Sequence, residues 1–129
     1  MRQKPIVKCY WEIIGVCGLI NIDWVNRSCE LSIYIGEEDC RRKGYGSRVI
    51  TMFKKICFDQ MNMHRFWAEV YSFNQSMMDM LCKNGFNIEG YLKDTVFRNG
   101  KYYNSYFYTF LEEDWKEEKG TKKLLEDEV

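Results

Sequence analysis

The stretch Arg41-Arg42-Lys43-Gly44-Tyr45-Gly46 constrains this chain more than any other. It follows an alternating apolar run over residues 31–35 and precedes an amphipathic run that starts near Ser47. A strand, a tight glycine turn carrying cations and a helix start together make an anion site. The N–H groups of the turn and the helix N-terminus point at the same place. Gly44 and Gly46 permit positive φ and let a ligand come close to the backbone. The favoured ligand is a phosphate or pyrophosphate.

The rest of the chain has to supply a fold around that turn. With 129 residues there is room for one domain and one core. The formal net charge is zero, so the chain is not a polyanion binder by overall charge, and a nucleic-acid module is the weakest reading. Aromatic residues make up 16% and there is a single proline, a composition that packs rather than stays disordered. Cys9, Cys17, Cys29, Cys40, Cys57 and Cys82 form no C-x-x-C pair, and His64 is the one histidine, so no zinc or other metal site is expected. Several of these cysteines lie in apolar runs, where cysteine acts as a small hydrophobe. No signal peptide is read at the start, so reduced thiols and a cytoplasmic location are expected. No apolar run approaches the ~18 residues a membrane span needs.

Periodicity then orders the elements. Residues 5–11 read as a strand, residues 13–23 as a second containing Gly15 and Gly18, and residues 29–35 as a third after a turn at Asn26-Arg27-Ser28. Short connections make these three an antiparallel meander. In the third strand Leu31, Ile33 and Ile35 face one way, and Glu30, Ser32 and Tyr34 the other. A helix is predicted over residues 47–61, with Val49, Ile50, Phe53, Ile56, Cys57 and Met61 as its apolar stripe. Residues 65–71 form a short strand, parallel to the third because a helix separates them. Asn74 caps a second helix that stops at Asn84-Gly85. Residues 86–98 and 101–111 are the arms of a hairpin turned by Asn99-Gly100. The domain thus runs over residues 1–111. Beyond it, residues 112–129 read as a charged tail, a solvated frayed helix or a disordered end.

The order β-β-β-loop-α-β-α-β-β, with its motifs, resembles the GCN5-related N-acetyltransferase (GNAT) superfamily. The core motif Arg/Gln-x-x-Gly-x-Gly/Ala is similar to Arg41, Gly44 and Gly46. A second block matches from Asn74 to Lys83, Gly85 and Phe86. A third matches Glu89-Gly90 and Asn99-Gly100-Lys101-Tyr102. The pattern is nearest the ribosomal-protein and amino-sugar acetyltransferase branch, with the spermidine acetyltransferases close by. The implied fold is α+β, a mixed, mostly antiparallel twisted sheet with two main helices and a C-terminal hairpin.

The resemblance implies acetyl transfer from acetyl-CoA, as co-substrate, to a primary amine such as an amino sugar or a peptide N-terminus. Arg41, Arg42, Lys43, Gly44, Tyr45, Gly46 and Ser47 would hold the pyrophosphate. The backbone of Ile33, Tyr34 and Ile35 would pair with the pantetheine amides at an edge that the family frees by splaying two strands. Asn74, Leu81 and Lys83 fall at the family's cofactor-side positions on the second helix. Glu30 aligns with a glutamate that serves some relatives as base, and it reads equally as an ordinary strand-edge carboxylate. A backbone N–H near Ile33 would hold the oxyanion. The family's usual acid, a tyrosine seven residues after the asparagine, is Leu81 here; Tyr71, Tyr102, Tyr103 and Tyr106 are replacements to test. Relatives also begin with a strand and two helices, about fifty residues that this sequence lacks. A homo-oligomer or a companion chain is therefore expected to cover the sheet. Three alternatives follow: an active enzyme, a non-catalytic acyl-CoA-binding or interaction module, and a chain that works only with a partner polypeptide.

Overall fold

The computed structural model describes residues 15–35 and 44–127. The strand expected over residues 5–11, and Arg41, Arg42 and Lys43 of the turn, lie outside the described residues. Five strands form one sheet: β1 (Gly15–Asp23), β2 (Ser28–Ile35), β3 (Arg65–Tyr71), β4 (Asn87–Arg98) and β5 (Lys101–Leu111), in the spatial order β1-β2-β3-β5-β4. Every pairing is antiparallel except β2 with β3, which is parallel. The sheet is thus the mixed, mostly antiparallel one that the motif order implies.

Local chemistry explains most boundaries. Asn99 and Gly100 both take positive φ, 53° and 76°, as a two-residue turn between twisted strands requires. Helix α1 (Tyr45–Lys54) begins two residues before its apolar stripe suggests, because Gly44 takes the N-cap at φ 78°. It continues as a π-helical segment over Lys55–Gln60, where Met61 N donates to the Ile56 carbonyl at 2.9 Å. Helix α2 (Gln75–Lys83) starts at Asn74, whose side chain accepts from Met77 N at 3.3 Å. It ends where Gly85 turns to φ 88°.

Both helices cover one face of the sheet. Ile50, Phe53 and Cys57 of α1 and Leu81 of α2 share one buried cluster with Cys29 and Leu31 of β2, Phe66, Ala68 and Val70 of β3, and Tyr108 and Phe110 of β5. Two right-handed crossovers stepping the same way across a sheet put their helices on the same side. The register places Glu30 beside Trp67, and Trp67 beside Thr109, on the opposite face. Trp67 and Phe107 meet edge to face there at 5.4 Å. Among the described residues no helix lies on that face.

Residues beyond Leu111 correct one expectation. They form a helix, α3 (Glu112–Asp127), whose first turns are docked rather than solvated. Trp115 is 5% exposed, stacks on Phe58 and donates from Nε1 to Asp59 Oδ1 at 2.9 Å. Lys119 pairs with the same carboxylate at 3.0 Å, and Glu118 with Lys54 at 3.1 Å. One tryptophan in a run of charges makes no period, so a pattern search misses it. The physical drive is its large apolar area, which outweighs the polar company it keeps.

Candidate functional site

β3 is hydrogen-bonded to β5 along its whole length, with seven register pairs from Arg65↔Leu111 to Tyr71↔Ser105. To β2 it is paired only at Ser28↔Arg65, Cys29↔Phe66 and Glu30↔Trp67. Beyond Glu30 and Trp67 the two strands part. From Leu31 to Ile35 the β2 backbone is paired to β1 on one side and to no described strand on the other. This leaves a row of peptide N–H and C=O groups that needs partners, and an extended chain with amides can supply them. Ile33, Tyr34 and Ile35 all lie on that free edge.

Helix α1 and its π-helical continuation lead to Arg65 at the paired end of β3, so the helix start at Gly44 lies toward the open end of the split. Gly44 sits at the N-cap of α1, and no described side chain caps the helix. The first turn holds no acidic residue. Among the described residues nothing takes its first N–H groups, and these with the positive end of the helix dipole suit an external anion. A Cβ built on Gly44 would meet nothing within 4 Å, so the glycine fills no packing need of its own. Its φ of 78° and the open space above it are the observations that fit a bound phosphate. Tyr45 is half-buried under the Arg48 guanidinium, 5.5 Å from the ring centre, and Gly46 is buried. Ser47 receives a hydrogen bond from Asn84 Nδ2 at 3.0 Å, which joins the start of α1 to the end of α2.

The other named residues take up varied places. Asn74 follows directly from β3, its N–H bonded to the Tyr71 carbonyl at 2.9 Å, so it also stands at the open end of the split. Its capping bond occupies the side-chain oxygen. Lys83 is exposed in the last turn of α2. Leu81 is 0% exposed, packed inside the core cluster, and no part of it is open to a ligand. In this structure Leu81 packs into the core.

Glu30 lies on the face away from the helices, at the last residue before the strands part. Asn21 donates to its Oε1 at 2.6 Å. Asn21 itself has φ 48°, at the irregularity where β1 loses register between Ile20 and Asp23. A short hydrogen bond to a carboxylate fixes its direction. Nothing in the sequence announces this partner; the only trace is the break in alternation at Asn21. Glu69 likewise belongs to no sequence motif. It is exposed two residues beyond Trp67, on the same face as Glu30, so two carboxylates flank the split.

The tyrosines divide clearly. Tyr71 closes β3 on the Glu30 face and leans on Phe73 at 5.6 Å. Tyr102 is at the hairpin tip against Phe97, and Tyr103 meets Phe73 edge-on at 5.0 Å. Tyr106 packs beside Tyr91 on the helix-covered side. Tyr108 is the buried tyrosine of β5. Burial, then the nearby Cys82 thiol, pushes its phenol up to about 12. Its hydroxyl meets α2, on the side of the sheet opposite Glu30, so it serves packing. The histidine lies at the far end of β3, its Nδ1 donating to Glu112 Oε1 at 3.2 Å. Among the described residues no three His, Cys, Asp or Glu side chains converge as metal donors. No described helix is long and apolar enough to cross a membrane.

A splayed parallel pair beside a glycine turn is a pattern that can be compared with known families. Residues 10–107 match the family model of the acetyltransferase (GNAT) domain. This chain belongs to the GNAT acetyltransferase family. The GNAT relatives include the spermidine N(1)-acetyltransferase of Vibrio cholerae, 31% identical over 101 residues, which are 78% of this chain and 58% of that one. A solved structure of the spermidine N-acetyltransferase from Vibrio cholerae, in complex with CoA and spermine, superposes with TM-score 0.74 at 27% identity, covering 81% of this chain and 61% of that one. A dodecameric structure of the same enzyme superposes with TM-score 0.73 at 27% identity, covering 81% and 60%. This GNAT chain therefore spans about three fifths of the length of the relatives it matches.

Proposed function

We infer that this chain is an N-acetyltransferase that moves an acetyl group from acetyl-CoA to a primary amine. The observation that carries the reading is the split between β2 and β3, opening beside an uncapped glycine turn. The turn donors from Gly44 to Ser47 bind the pyrophosphate. The free β2 edge over residues 33–35 pairs with the pantetheine amides and sets the thioester at the end of the split. There the amine nitrogen attacks the thioester carbonyl and the C–S bond breaks. A backbone N–H near Ile33 holds the developing oxyanion. Glu30, oriented by Asn21, draws the proton from the incoming ammonium. The departing thiolate takes a proton from water or from the ammonium nitrogen of the tetrahedral intermediate, which leaves a neutral amide, since Leu81 has none to give.

Glu30 and Glu69 make the acceptor face anionic, which favours a cationic amine over a neutral nucleophile. A small-molecule amine and a peptide N-terminus both satisfy that requirement. Reduced thiols suit a cytoplasmic setting: Cys17, Cys29, Cys57 and Cys82 are free, and Cys29 and Cys57 lie buried with Sγ atoms 3.1 Å apart. Ile20, paired with Glu30 and on its side of the sheet, is 44% exposed, and Ile22, Trp24 and Val25 are exposed at and around the β1–β2 turn. A homo-oligomer or companion chain covering this face is part of the proposal, as is its role in completing the acceptor pocket.

Titration of the chain with acetyl-CoA in a calorimeter, with light scattering on the same sample, tests the reading. Micromolar binding that Gly44→Trp abolishes is expected, followed by acetylation of an amine panel. No binding by a folded, monodisperse chain sinks the stand-alone enzyme. Binding without transfer to any amine would favour the second reading, a non-catalytic acyl-CoA-binding module, which the burial of Leu81 in the usual tyrosine position supports.

A further inference from the structure

The first turn of α1 is tied to the end of α2 through one side chain. Asn84, the C-cap of α2, donates from Nδ2 to Ser47 Oγ at 3.0 Å and to the Met80 carbonyl at 2.8 Å. A side-chain amide has two N–H hydrogens. The Met80 carbonyl can only accept, which fixes the end of the amide that faces it. Its partner hydrogen then goes to Ser47. The Ser47 hydroxyl is thus the acceptor in this contact and retains its own hydrogen. Among the described residues nothing takes that hydrogen.

Asn84 is itself held from the other side. Lys54 Nζ donates to its backbone carbonyl at 2.6 Å. Lys54 is 1% exposed, lies 3.9 Å above the Phe110 ring and pairs with Glu118 of α3. A lysine so buried and so fully engaged does not drift, and neither does the residue it grips. The clamp therefore runs from α3 through Lys54 and Asn84 to the turn that faces the split.

We propose that Asn84 is a positioning residue that sets the polarity of the Ser47 hydroxyl and makes it a phosphate donor. This rests on the acetyl-CoA reading above. Ser47 lies three residues past Gly44, inside the turn whose N–H groups no described side chain caps. A free hydroxyl there could turn either its hydrogen or a lone pair outward. A lone pair facing a phosphate oxygen repels it; the hydrogen attracts it. By filling a lone pair from behind, Asn84 leaves the hydrogen to face the anion. An asparagine at this position thus acts on the ligand without touching it.

The test is a double-mutant cycle on the full chain, with CoA itself as the titrant and thermal unfolding as the second readout. Ser47→Ala and Asn84→Ala are each expected to weaken CoA binding roughly tenfold, the scale of one hydrogen bond to a charged group. The double variant should bind no worse than Ser47→Ala, while the drop in melting temperature from Asn84→Ala persists with or without Ser47. Asn84→Asp, an acceptor that would draw the serine hydrogen toward itself, should bind CoA more weakly than Asn84→Ala. Additive losses of affinity would overturn the proposal, because Asn84 would then act through stability alone. Unchanged affinity in Ser47→Ala would overturn it too, and this variant decides the matter if Asn84→Ala does not fold. Failure of the unmutated chain to bind CoA is a separate outcome, which removes the acetyl-CoA reading and this proposal with it.

Discussion

The two ends of β3 are built for different purposes. At its first residues, Arg65 to Trp67, the strand is flanked on both sides, by β2 and by β5. Around that end stand the docked α3, the Arg27–Glu112 and His64–Glu112 contacts, and the two-point Arg65–Glu89 pair at 2.7 Å each. At its last residues, from Ala68 to Tyr71, β3 is flanked by β5 and by no other described strand. Facing it are an open β2 edge and a helix start that no described side chain caps. Backbone groups left unpaired inside a sheet cost free energy, and a protein tolerates them where a ligand will complete them. One end of the strand holds the fold together; the other holds places for something else.

The largest expected effect strikes the closed end. Replacing Trp115 with Ala removes a nearly buried indole, its stacking on Phe58 and its bond to Asp59. A loss of about 3–5 kcal/mol is expected, read as a shift in the urea midpoint. If the two ends are as separate as their pairing suggests, the folded variant should bind acetyl-CoA within about threefold of the parent chain, since the remaining tie between them runs through Lys54 and Glu118. A much larger fall in affinity would erase the distinction between a structural and a functional end.

The next effect sharpens the open end. Glu30→Gln preserves shape and can still accept from Asn21, but it cannot take a proton. For an acceptor amine with pKa near 10 the rate is expected to fall on the order of 100-fold, the low end for general-base catalysis. For an α-amine, with pKa near 8 and already partly neutral, the fall should be under about tenfold. Acetyl-CoA affinity should not change in either case. Equal losses for both amines would mean that Glu30 positions the acceptor rather than deprotonating it.

The two ends also differ in how well the sequence announces them. Punctuated elements read directly: Asn99-Gly100 takes the two positive φ angles its turn demands, Asn74 caps α2, and the alternation over residues 29–35 puts Cys29 and Leu31 inside. Each of these is decided within a few residues. The split is not. Nothing in the pattern of β2 or β3 says where their pairing stops; the family resemblance implied it, and the register displays it. Asn21 and Glu30 are nine residues apart but meet through strand pairing and an irregular turn of backbone. Lys54 reads as one more solvated cation on a helix, yet it is buried because Asn84, Glu118 and two aromatic rings surround it. Such residues depend on several long-range partners at once, and a sequence pattern records only one element at a time.

The smallest expected effect is the dependence of the closed end on acid. Hydrogen bonding from His64, with help from the Lys116 and Arg27 charges, holds the Glu112 carboxyl below its usual range. The Trp115 indole N–H, then Lys119, does the same for Asp59. A carboxyl with a lowered folded pKa binds fewer protons folded than unfolded, so its contribution is fully present above the unfolded value, about 4.5 for glutamate and about 4 for aspartate. That contribution is lost as pH falls through the folded value. Melting temperature should therefore decline as pH drops from about 5 to about 3, and Glu112→Gln should flatten the decline while lowering the plateau at neutral pH slightly. Trp115 fluorescence followed through the same titration locates the effect. An acid slope that Glu112→Gln and Asp59→Asn both leave unchanged would mean that these ties contribute nothing measurable, and that α3 is held at the closed end by Trp115 and the apolar surface beneath it.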